Sequence, residues 1–152
     1  MADLPEYLAG QNIALPSPIE HEILVAEILA LHFANGGATY HLYFGNLLGK
    51  RLWAVSPYLE RGQDVEGRAI READLKAFLA ANMDLLENPR HAVGMWYNLE
   101  DGRTYLDIVI LLPDLQAAIE EGEQGNQIAI FDLATQTVIE VGGTGKKEQS
   151  DG

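Results

Sequence analysis

At 152 residues and 16.7 kDa, with 47% hydrophobic residues, the chain has the length of one ordinary domain and enough apolar material for a packed core, which excludes wholesale disorder. It has no cysteine, so disulfide scaffolds, thiolate zinc sites, iron–sulfur clusters and cysteine nucleophiles are excluded together. A net charge of −13 and a pI near 4.5 repel phosphate backbones and anionic membranes, so neither direct nucleic-acid binding nor membrane association is expected.

Residues 1–15 carry no Lys or Arg and no long apolar run, so they read as a flexible arm rather than a secretory leader, and the location expected is cytoplasmic. A helix follows. Ser17-Pro18-Ile19-Glu20 has the form of a capping box with proline at the first helical position, and Asn35-Gly36-Gly37 is the stop. Its apolar residues, Ile19 to Phe33, cover most of the circumference, which predicts burial on two sides or sharing with a second subunit. The segment is too short and too often interrupted to span a bilayer.

Residues 38–44 and 51–56 are rich in aromatic and β-branched residues, and the Gly45 to Gly49 stretch between them predicts a hairpin. Pro57 ends it, and a polar loop runs over 60–67. Glu72 to Leu86 predicts a second helix with Leu75, Phe78, Leu79 and Leu86 on one face, stopped by Asn88-Pro89. Residues 92–97 and 105–112 flank Asp101-Gly102, a strong hairpin turn signal. A short helix from Pro113-Asp114 and a last strand pair, 127–133 with 137–141, close the domain; residues 142–152 read as a disordered polar tail. The expected fold is therefore α+β over 16–141, in the order α-ββ-α-ββ-α-ββ: three hairpins in a mostly antiparallel sheet, with about three helices on one face.

Few residues suggest chemistry. His21 and His32 lie eleven positions apart, roughly 16 Å along a helix, too far to share a metal. His41 and His91 have no recognisable Ser or Asp partner in sequence. The glycines of 142–145 lack the phosphate-loop spacing, and neither a cofactor nor a metal is expected. Asp107 and Asp132 interrupt apolar strands, where a carboxylate must face solvent or find a partner. Their plain reading is a solvated strand face for Asp107 and a turn cap for Asp132; side by side they would form an acid–base pair, with His41 or His91 as further catalytic candidates. Among the aromatics clustered in the first two hairpins, Tyr43, Trp53 and Trp96 are the candidate binding anchors.

Val93-Gly94-Met95-Trp96-Tyr97, Tyr105-Leu106-Asp107, Ala117 and Asn126-Gln127-Ile128-Ala129-Ile130-Phe131-Asp132 together resemble small, functionally uncharacterised proteins of actinobacteria and their phages. Those typically carry a Gly-Thr-Trp, Tyr-Leu-Asp-Val, Asn-Gln-x-Ala pattern; here Met95 stands for the Thr and Ile108 for the Val. The resemblance spans 92–141, about a third of the chain. It implies an accessory role in a mobile element and carries over no catalytic residue.

The function expected is that of a non-enzymatic accessory protein binding another protein, with homo-oligomerisation through the helix 19–34. One alternative is an acidic nucleic-acid mimic that uses the acid-rich segment 81–125 to inhibit a DNA-binding protein. The other is a small enzyme built on Asp107 and Asp132.

Overall fold

The structure, a computed structural model, describes residues 3–124 and 129–142. Among the described residues there are five α-helices and eight strands, and all the strand pairings are antiparallel. The α+β class and the antiparallel sheet are as the sequence predicts. The pairing within that sheet is not.

Helix α1 (Leu4–Leu8) forms inside the segment expected to be a flexible arm. The Asp3 carboxylate caps its first turn and pairs with Lys50 at 2.7 Å, while Leu4 is fully buried against Leu47, Leu52 and Leu111. The polar look of 1–15 conceals a single apolar anchor. Helix α2 (His21–Asn35) starts four residues after the expected cap. Ile19 instead donates its backbone N–H to the Leu42 carbonyl at 2.8 Å, which holds Ser17-Pro18 outside the helix. Gly36 ends α2 at φ 74°, a left-handed conformation glycine adopts without strain.

Strand β1 (Gly37–His41) turns back at once into the two-residue β2 (Gly45–Asn46) and pairs on its other edge with β5 (His91–Asn98). Strand β3 (Trp53–Val55) lies instead between β6 (Arg103–Leu112) and β7 (Ala129–Asp132). The expected first hairpin, 38–44 with 51–56, thus does not form. Both strands gain more by lying against long apolar strands distant in sequence than against each other, and a local turn signal cannot register that. The supposed polar loop contains a 3₁₀ turn (Leu59–Arg61) and β4 (Gln63–Glu66), which pairs with the start of β6. The second and third hairpins, β5–β6 and β7–β8 (Thr137–Glu140), form as predicted. Residues 127–128 and the tail beyond 142 lie outside the described residues.

The second helix breaks at Asn82 into α3 (Glu72–Ala81) and α4 (Met83–Leu86). The strand order is β2-β1-β5-β6-β3-β7-β8, with β4 beside β6, and the sheet is strongly curled. One face packs Tyr40, Val93, Met95, Leu106 and Ile108 under α2 and α3. Further along that same face, Val55, Ile110 and Ile130 lie under α5 (Leu115–Gln124). The long helices thus share one face, as expected. The opposite face, on the inside of the curl, is covered at one end only, by α1 and the loop before β3.

Candidate functional site

The uncovered end of the inner face is a cavity of about 750 Å³. Gly37 and Thr39 of β1 line it, and so do Phe131 and Val138 of β7 and β8. Strands from opposite ends of the sheet therefore face one hollow, which is what the curl produces. Its volume falls within the range typical of small-molecule sites, roughly 300–1,000 Å³.

The alternation of β6 sends Tyr105, Asp107 and Val109 inward while Leu106 and Ile108 enter the core under the helices. Asp107 occupies a special place along this strand. Strand β6 pairs with β4 as far as Leu106 and with β3 from Ile110, so on that edge Asp107 stands where the sheet changes partner. Ser56 and Pro57 leave the sheet there, and the chain returns at Gly62. On the other edge its partner is Gly94. A Cβ on Gly62 would come within 2.8 Å of the Asp107 Oδ1, and one on Gly94 within 3.3 Å of Val109. Gly62 therefore leaves room for the carboxyl itself, and Gly94 for the Val109 side chain next to it on the strand.

Asp107 lies on the strand face away from the helices, as its plain reading had it, but in a hollow where it is half-buried rather than fully solvated. Burial pushes its carboxyl up to about 6 from 3.8. The Ser56 hydroxyl is near enough to hold this rise back in part, yet its Oγ is itself buried and forms no hydrogen bond of ordinary geometry. Among the described residues no Lys, Arg or His pairs with Asp107. At the rim, Trp96 stacks on its cross-strand partner Tyr105, with ring centroids 5.3 Å apart and planes at 22°. Trp96 stays 48% exposed, and the Tyr105 hydroxyl is held by Asp101.

No family model, curated protein or solved structure matches this chain.

The other candidate residues are occupied elsewhere. His41 is fully buried. Its Nδ1 accepts the N–H groups of Tyr43 and Phe44 at 3.0 and 3.1 Å, which leaves Nε2 to donate to the Pro89 carbonyl at 2.8 Å. His91 donates from Nδ1 to the Leu85 carbonyl at 2.9 Å and accepts the Tyr58 hydroxyl on Nε2 at 2.8 Å. Both rings are thus neutral clamps with each nitrogen in use, and burial lowers both pKa values. Asp132 caps the β7–β8 turn, its Oδ1 accepting from Ala134 and Thr135 at 3.0 and 3.4 Å. The register Trp53↔Asp132 and Ala54↔Phe131 puts it on the face opposite the cavity, so Asp107 and Asp132 do not meet.

The three aromatic anchors are also separated. Trp96 belongs to the cavity. Tyr43 is half-buried and donates its hydroxyl to the Glu87 carbonyl at 2.8 Å. Trp53 lines a different recess, about 340 Å³, with Pro5, Glu6 and Pro113. The acids of 81–125 are dispersed: Asp84 grips Arg61, Asp101 holds Tyr105, Asp107 faces the cavity, and Asp114 caps α5. Sequence reasoning did not find Ser56, Gly62, Gly94, Tyr105 or Phe131. Alternation alone would have put Tyr105 and Val109 beside Asp107, but membership of Ser56 and Phe131 depends on strand pairing.

Proposed function

We propose that the protein is a binding module, not an enzyme, and that it holds a small, largely apolar ligand in the hollow of its curled sheet. One observation carries this reading: among the described residues, a cavity of drug-ligand size, apolar for the most part, contains a single half-buried carboxyl with no cation beside it. Such a group costs stability, and sites that bind are where such costs are retained. Among the described residues Asp107 stands without a second acid or a histidine, and Asp132, His41 and His91 serve as caps and clamps, so the binding reading is favoured over an acid–base enzyme. An accessory role in a mobile element, as the resemblance over 92–141 implies, accommodates such a module.

The test uses the two tryptophans, the only ones in the chain. Trp96 lines the cavity and Trp53 does not. Titration with the neutral apolar probe N-phenyl-1-naphthylamine should shift the Trp96 indole N–H resonance and leave that of Trp53 in place. Movement of Trp53 alone, or of neither with this probe and with small amine and alcohol probes alike at saturation, overturns the proposal.

Association with a partner protein, or with a second copy, is favoured by a separate observation. On the outward side of α2, Phe33 is 79% exposed and Ile23 48%, with Ala26 and Ala30 exposed between them. These positions form one helical stripe, opposite the Leu24, Val25 and Ile28 that are buried in the core.

A further inference from the structure

Which ligand the hollow takes follows from its chemistry, on the reading that it is a ligand site. We infer that the ligand is an organic cation, an apolar body bearing a protonated amine whose head sits between Asp107 and Ser56 and whose flank lies along the Trp96–Tyr105 stack.

The polar groups at the floor are a carboxylate, which only accepts, and a hydroxyl, which donates and accepts. The Asp107 carboxylate accepts hydrogen bonds on both oxygens, and the Ser56 Oγ beside it is buried without a partner. A protonated amine brings the positive charge this pair lacks, and further N–H donors for the acceptor sites that the single Ser56 hydroxyl cannot fill. A carboxylate or phosphate ligand would place like charges together in a half-buried site, and the chain's net charge of −13 adds to that repulsion. A neutral body without donors would bury the carboxylate further and satisfy nothing.

A hard metal ion does not suit the site. Calcium takes six to eight oxygen ligands, whereas here one carboxylate and one hydroxyl converge, and no group of three His, Asp or Glu side chains able to hold a metal exists among the described residues. The walls point the same way. The stacked indole and phenol present π faces at the rim, and aromatic faces attract organic cations. Gly94, directly across from Asp107, keeps the approach to the carboxylate free of a side chain.

The experiment compares two probes of nearly equal shape, 2-phenylethylamine and 2-phenylethanol, by titration of the Trp96 indole resonance at pH 8. The amine should bind the full chain about tenfold more tightly than the alcohol, the size expected of a partly desolvated charge pair. Asp107→Asn should bring the amine down to the alcohol's affinity and leave the alcohol unchanged. Lowering the pH to 5 should erase most of the preference in the natural chain. Equal binding of amine and alcohol to the natural chain would overturn the cation inference while leaving the ligand site standing. Failure of both probes and of the neutral naphthylamine to reach Trp96 would overturn the site itself. A preference that survives Asp107→Asn would place the cation elsewhere and also overturn the inference.

Discussion

Asp107 and the buried histidines set opposite dependences of stability on pH. The Asp107 carboxyl, at about 6 in the fold against 3.8 for a free side chain, favours its protonated form on folding. Its contribution is therefore complete below pH 3.8 and is lost as the pH rises through about 6, a loss of about 2–3 kcal/mol. His32, His41 and His91 have pKa values lowered by burial from 6.5, so their contribution is present above 6.5 and lost as the pH falls. Asp107→Asn should consequently stabilise the protein by about 1–3 kcal/mol at pH 7.5 and by almost nothing at pH 4, read as urea midpoints across that range. Parallel profiles for the two proteins would show that the carboxyl is not desolvated. A polar residue whose removal stabilises the fold is what a binding group looks like in energetic terms.

Among the elements, the break between α3 and α4 is tied to the cavity. Asn82, 2% exposed, donates to the Phe78 carbonyl at 2.8 Å and accepts from Arg61 at 3.1 Å, and Arg61 also grips both oxygens of Asp84 at 2.9 Å. Arg61 ends the 3₁₀ turn that sets Gly62 against the Asp107 carboxyl. Asn82→Ala removes two hydrogen bonds from a buried site and should cost about 1–3 kcal/mol by chemical denaturation. It should also move the Asp107 titration, measurable from the carboxyl carbon resonance, because the turn loses one of its anchors. An unchanged titration would mean that Asp84 alone fixes the turn. The helix 72–86 was legible from its apolar spacing, but the break was not. The periodic pattern runs through Asn82, and only the incoming Arg61 explains a buried amide there.

For the molecule as a whole, the exposed stripe of α2 predicts self-association. At tens of micromolar the natural chain should sediment as a dimer, and a variant carrying Ile23→Glu and Phe33→Glu as a monomer with an unchanged circular dichroism spectrum. A natural chain that sediments as a monomer would remove the helix as an interface between two copies of the chain. No helix among the described residues is long and apolar enough to cross a membrane. The sequence by itself determined the elements whose information is local: the apolar period of α3, the Asp-Gly turn joining β5 to β6, the pairing of β7 with β8, and Gly36 as the end of α2. It also marked Asp107 as a carboxyl out of place in an apolar strand. Only the tertiary structure decided that β3 leaves β1 for β6 and β7, that Leu4 anchors the supposed arm, and that Asp107, Ser56, Trp96 and Phe131 face one hollow. The physical reason is that side-chain period and turn chemistry act over a few residues. Strand pairing is instead chosen by the apolar area buried between segments far apart in the chain, and no short window of sequence contains both partners.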